Sequence, residues 1–197
     1  MITNIILASG SPRRRELLAG LGWHFTVEPS EAEEKIFASE SPAELVERLS
    51  SEKAFEVARR RPGFWVIGAD TVVAVDGEIL GKPKDRGEAF LMLKKLQGRS
   101  HSVFTGVSVI AEDCRCLTAH EETRVCFREL TDEELNAYLD CGESMDKAGA
   151  YAIQEKGTLL VTSIEGDYFN VVGLPLVTLS RLFEKLGISL SEQWRTD

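Results

Sequence analysis

The sequence predicts an α/β protein, and three observations carry that assignment. Short apolar runs of strand length recur along the chain, beginning with Asn4-Ile5-Ile6-Leu7-Ala8. Between them lie stretches at helical spacing that open on helix-start signals, such as Ser41-Pro42-Ala43-Glu44. Turn pairs such as Asp76-Gly77 punctuate the rest. Strands and helices interleave from end to end, which is the pattern of an α/β fold.

The first run, bounded by Ser9-Gly10-Ser11-Pro12, reads as a buried strand. A helix follows, with Ser11 as N-cap, Pro12 at its first position, Leu17, Leu18 and Leu21 on one face, and an end near Gly20 or Gly22. Residues 23–29 alternate as a strand, and the polar stretch 30–40 reads as a loop. The capping box at Ser41 opens a helix that runs to about Arg61 and is stopped by Pro62. Residues 64–75 form a long strand pattern with a polar interruption at Gly68-Ala69-Asp70-Thr71. Asp76-Gly77 then turns into a second strand, Glu78-Ile79-Leu80. Asp85 caps a helix over residues 86–96. Residues 101–111 and 117–130 read as paired strands, and Thr131-Asp132-Glu133-Glu134 caps a helix to about Leu139. A strand over 158–166 and a final amphipathic helix over 174–187 complete the reading.

The chain has 197 residues, 43% of them hydrophobic, with a net charge of −9. That length supports one domain, 1–197, able to bury its core without disulfide or metal. The acidic balance argues against a non-specific nucleic-acid or membrane binder. The four cysteines (Cys114, Cys116, Cys126 and Cys141) form no C-x-x-C pair and read as reduced thiols of a cytoplasmic protein. The N-terminal residues lack the basic start and long apolar run of a secretory leader.

Three consecutive arginines, Arg13, Arg14 and Arg15, crowd the first turn of the first helix. The helix dipole is positive there and favours acids. An anion resting on the helix end would reverse that preference. Asp70 is a carboxylate inside an apolar strand, which costs energy unless it is paired or metal-bound. It reads either as a bulge residue bonded to its own backbone or as a functional acid. Gly81-Lys82-Pro83 reads as a turn with a solvated lysine or as a phosphate contact. Asp146, Lys147 and Gln154 stand among small residues in "DKAGAYAIQ", where backbone or ligand approaches closely. The lone His101, in a strand pattern, reads as structural. The P-loop, the dinucleotide G-x-G-x-x-G and the G-x-S-x-G elbow are absent from the sequence. Arginines and lysines to grip phosphate, and carboxylates to hold a hard divalent ion, make up a toolkit for phosphoanhydride hydrolysis; a plain anion-binding module uses the same cations.

The motifs "LASGSPRRRELL", "GADTVV", "GKP", "GRSHSVFTGV", "DKAGAYAIQ" and "GDYFNVVGLPL", in this order from residue 7 to 176, closely resemble the Maf family of nucleotide pyrophosphatases. The resemblance implies an elongated mixed twisted β-sheet flanked by helices, with two lobes and a central cleft, similar to the inosine-triphosphate pyrophosphatases. It implies hydrolysis of a nucleoside triphosphate to the monophosphate and pyrophosphate, a divalent metal (Mg²⁺, Mn²⁺ or Co²⁺), and a homodimer. Arg13, Lys82 and Gln154 match the family branch that prefers dTTP and UTP. The alternatives are the 7-methyl-GTP branch and a non-catalytic nucleotide-binding regulator of cell division. By resemblance Asp70 is the proton acceptor, and Ser9, Arg13, Lys53 and Lys82 bind the triphosphate. Arg13, Thr71 and Gln154 match positions tied to base choice. The acidic metal position falls on Glu33 or Glu34, with Glu34 preferred beside Asp70. Helical spacing separates Arg13 from Arg15, so Arg13, nearer the helix end, is expected to face the anion.

Overall fold

The computed structural model describes residues 4–35, 37 and 39–195. Met1 to Thr3, in the stretch read for a leader, Ile36 and Ala38 of the expected 30–40 loop, and Thr196 and Asp197 lie outside them. Seven strands, β1 (Ile5–Leu7), β2 (Phe25–Val27), β3 (Trp65–Val75), β4 (Glu78–Leu80), β5 (Ser100–Ile110), β6 (Cys116–Phe127) and β7 (Val161–Glu165), form one sheet ordered β2-β1-β3-β5-β6-β7, with β4 against β3. β1 pairs in parallel with β2 and β3, whereas β4 pairs antiparallel with β3 and β7 antiparallel with β6. The sheet is therefore mixed, as expected. The helices are α1 (Pro12–Gly20), α2 (Pro42–Arg60), α3 (Arg86–Leu96), α4 (Asp132–Asp140), α5 (Tyr168–Val172), α6 (Leu176–Lys185) and α7 (Leu190–Gln193). No helix among the described residues is long and apolar enough to cross a membrane.

The chain divides into two compact units. The first takes the chain up to Asp70, Thr105–Glu121 and everything from Gly173 on; the second takes Thr71–Phe104 and Glu122–Val172.

In the first unit the period-2 alternation of the strands builds two cores. Ile5 and Leu7 of β1, Trp65, Ile67 and Ala69 of β3, and Val107 and Val109 of β5 bury one face with Leu18 of α1 and Leu179, Leu182 and Phe183 of α6. Ile6, Val66 and Ile110 turn to the other face, with Ala54 and Val57 of α2. By the same alternation Gly68 and Asp70 face α2. The seat of α2 is made by two glycines. A Cβ on Gly68 would stand 2.2 Å from the Ser50 carbonyl oxygen, and one on Gly106 2.1 Å from that of Val46. The helix backbone rests directly on β3 and β5, where only hydrogen fits. Its N-terminus is fixed by the expected capping box, in which Ser41 and Glu44 bond each other's backbone amides.

In the second unit Val73, Val75, Leu93, Leu96, Val125, Phe127, Leu135 and Tyr151 share one core with α3 and α4. Asp76 (φ 51°) and Gly77 (φ 77°) make the expected hairpin turn. His101 is buried, its Nε2 2.7 Å from the Tyr151 hydroxyl, with its ring edge-on to Phe127. Burial pushes its pKa down to about 4.

The structure corrects several local expectations. Ser11 occupies the N-cap of α1 but makes no side-chain cap; its amide instead donates to Ser9 Oγ at 3.3 Å. Of the three leucines assigned to one face of α1, only Leu18 is buried, and Leu21 is exposed at the C-cap. Residues 68–71 do not interrupt β3, which runs unbroken over Trp65–Val75, with Gly68 seated under α2 and Ala69 in the core on the other face. The strand expected over 158–166 starts at Val161, after a 3₁₀ turn over Glu155–Leu160. α6 is not the last helix: α7 follows, with its own capping box between Ser189 and Glu192.

Candidate active site

Three of the singled-out residues, Asp70, Lys53 and Glu34, meet in the first unit. Asp70 ends the run of β3 that faces α2, and Lys53 lies on α2 between Ser50 and Ala54, the two residues seated on Gly68. This register brings Lys53 Nζ to 2.5 Å from Asp70 Oδ1. The same ammonium is 2.7 Å from Glu34 Oε1. Asp70 is buried at 7% exposure, and the carboxylate that the sequence left between bulge and function is held by a half-buried cation. Glu33, the other acid considered, pairs instead with Lys35 on the surface.

Ser9 follows β1 and is buried. Its Oγ accepts from the Ser11 amide and, at 3.1 Å, from Arg14 Nη1. Arg14 also donates from Nη1 to the Ala69 carbonyl at 2.9 Å and from Nε to the Gly173 carbonyl at 2.7 Å. Burial lowers the pKa of its guanidinium, and the Asp70 charge offsets part of that effect. Arg13, the arginine expected to face the anion, lies half-buried on the same first turn, and Arg15 is exposed. Sequence reasoning missed Arg14. In a row of three arginines, helix period alone does not say which one turns inward.

The remaining expected residues belong to the second unit. Thr71 is half-buried on β3, Lys82 is exposed after β4, and Gln154 is half-buried at the start of the 3₁₀ turn. The Gly149 amide donates to the Gly81 carbonyl at 3.0 Å, which joins the "GKP" turn to the "DKAGA" segment. Gly149 has φ 68°, and a Cβ there would lie 2.9 Å from Val73 Cγ2. The small residues of that motif thus serve close backbone approach. Lys147 Nζ bonds Asp146 Oδ1 at 2.7 Å.

The donors in the first unit suit a hard divalent ion. Asp70 and Glu34 present carboxylate oxygens to one point, and that point already holds a positive charge, the Lys53 ammonium. No group of three or more His, Cys, Asp or Glu gathers as a metal cage among the described residues. A pair of carboxylates completed by water and phosphate oxygens is how Mg²⁺ is commonly bound.

The chain is 53% identical over 183 residues to the dTTP/UTP pyrophosphatase of Symbiobacterium thermophilum, covering 93% of this chain and 94% of that one. It is 54% identical over 185 residues to the dTTP/UTP pyrophosphatase of Thermoanaerobacter pseudethanolicus, with 92% and 94% covered. It is 49% identical over 193 residues to that of Myxococcus xanthus, with 98% and 96% covered. The family model described as Maf-like protein matches residues 4–186. With that match spanning nearly the whole chain, and with about half its residues shared with these relatives, the protein belongs to the Maf-like family.

Proposed function

We propose that this protein is a nucleotide pyrophosphatase that hydrolyses dTTP and UTP to the monophosphate and pyrophosphate. The reaction adds water across the α–β phosphoanhydride. The water oxygen bonds to phosphorus, the bridging oxygen leaves with the pyrophosphate, and the water proton must be taken up. The observation that carries the reading is the buried Asp70 carboxylate held by Lys53, which also pairs with Glu34. The relatives named dTTP/UTP pyrophosphatase supply the substrate class.

Each residue has a part in this reading. Asp70 accepts the proton of the attacking water. Lys53, Arg13 and Lys82 neutralise the triphosphate, and the Ser9 hydroxyl donates to a phosphate oxygen. The N-terminal amides of α1 add to that field, which gives the arginines at the positive end of a helix their counter-charge. Gln154 offers an amide that both donates and accepts, matching the N3–H and O4 edge of thymine or uracil, with Thr71 beside it in role. Asp70 and Glu34 would hold a divalent cation (Mg²⁺, Mn²⁺ or Co²⁺), which when bound neutralises phosphate charge and polarises the reacting group. The enzyme acts as a cytoplasmic homodimer, and its net charge of −9 disfavours nucleic acid as a partner.

The test is a side-by-side panel of dTTP, UTP and 7-methyl-GTP with Mg²⁺ or Mn²⁺, read by pyrophosphate release. Faster turnover of dTTP and UTP is expected. Preference for 7-methyl-GTP, or tight nucleotide binding without turnover, would overturn the reading.

A further inference from the structure

We infer that Arg14 is the positioning residue of this site, and that it sets Ser9 as an obligate hydrogen-bond donor toward phosphate. The inference rests on the pyrophosphatase reading above and assigns a residue that reading did not require. One guanidinium ties three separate segments together. Nε holds the Gly173 carbonyl ahead of α6, and Nη1 holds both the Ala69 carbonyl and Ser9 Oγ, at 2.7, 2.9 and 3.1 Å. The Ala69 carbonyl belongs to the peptide that leads into Asp70, so this bond fixes the backbone carrying the carboxylate. Ser9 Oγ accepts from Arg14 and from the Ser11 amide. A hydroxyl has two lone pairs and one proton. With both lone pairs engaged, Ser9 can only give its proton, and a phosphate oxygen is the matching acceptor. Lysine cannot copy this role, because its point-like ammonium lacks the planar fork that reaches two directions at once.

The role makes Arg14 and Ser9 one device, so their losses are not additive. The test is a double-mutant cycle with Arg14→Lys, Ser9→Ala and the double variant. It is read on kcat and KM for dTTP, and independently on the Kd of the non-hydrolysable α,β-methylene-dTTP by calorimetry. Each single variant is expected to lose roughly ten- to a hundredfold in kcat/KM and in analogue affinity, the size of a charge-assisted contact. The double variant is expected to lose little more than either single. Thermal melts separate this from unfolding. Ser9→Ala is a one-atom deletion that keeps the fold, and if Arg14→Lys melts early, Arg14→Gln with added guanidinium replaces it, with recovered affinity expected. Additive losses in the binding cycle, or a Ser9→Ala variant that binds like wild type, would overturn the inference. Absence of wild-type turnover alongside a coupled binding cycle would overturn the pyrophosphatase reading and leave the Arg14 and Ser9 device supported.

Discussion

Replacing Gly68 by alanine tests how the fold sets the site. The added Cβ would stand 2.2 Å from the Ser50 carbonyl oxygen, 2.8 Å from the Ala54 amide nitrogen and 2.9 Å from Ala54 Cβ. Ordinary contact begins at 3.4 Å, so α2 must retreat by more than an ångström. The opposing atoms are helix backbone and do not rotate away. Overpacking of this kind costs about 1–3 kcal/mol. In a chain of this size that lowers Tm by roughly 3–10 °C. Lys53 lies between the two displaced residues, and its 2.5 Å contact to Asp70 opens with them. A catalytic misplacement near an ångström costs on the order of a hundredfold in rate. The assay is calorimetric Tm together with kcat/KM on dTTP. Gly20→Ala is the control, because a Cβ there meets nothing within 4 Å. A Gly68→Ala protein with wild-type Tm and turnover would refute the claim that the bare glycine backbone places Lys53 on Asp70.

Two further outcomes follow from the same geometry. His101 stays neutral in the fold down to about pH 4, whereas in the unfolded chain it takes a proton near 6.5. Its contribution to stability is therefore complete above pH 6.5 and is lost as pH falls toward 4, about 3 kcal/mol in all. Denaturant melts across that range should show this slope in the wild type and a flatter one in His101→Gln; parallel slopes would contradict it. Arg13→Ala should lose roughly ten- to a hundredfold in kcat/KM on dTTP, while exposed Arg15→Ala stays near wild type. Equal losses would mean that the anion lies on another side of α1.

Much of the fold was legible because its boundaries are written in local chemistry. Ser41-Pro42 and Pro62 bracket α2, Asp76-Gly77 turns β3 into β4, and Asp85 caps α3, each by a rule that needs no tertiary contact. Asp70 stood out because a charge in an apolar strand demands a partner, but its partner could not be read, since Lys53 is brought to it by the packing of α2. In the sequence Gly68 is only part of a polar interruption. Its meaning lies in the absent side chain, which is visible only once Ser50 rests on it. Arg14 was hidden by its neighbours for a similar reason: three like residues carry no pattern, and only the carbonyls of Ala69 and Gly173 select one. The short α7 did carry a readable signal, the Ser189–Glu192 capping box, in a stretch too brief to show periodicity.

The central claim is that Asp70 takes the proton as water opens the phosphoanhydride of dTTP or UTP. Its most direct measurement compares wild type with Asp70→Asn, following products by phosphorus NMR and affinity for α,β-methylene-dTTP by calorimetry. Wild type should yield dTMP and pyrophosphate only. The amide keeps the shape of the carboxylate but accepts no proton. The variant should therefore bind the analogue while turning over about 10² to 10⁴ times more slowly. Release of inorganic phosphate with dTDP, or a variant retaining more than about a tenth of the wild-type rate, would contradict the account.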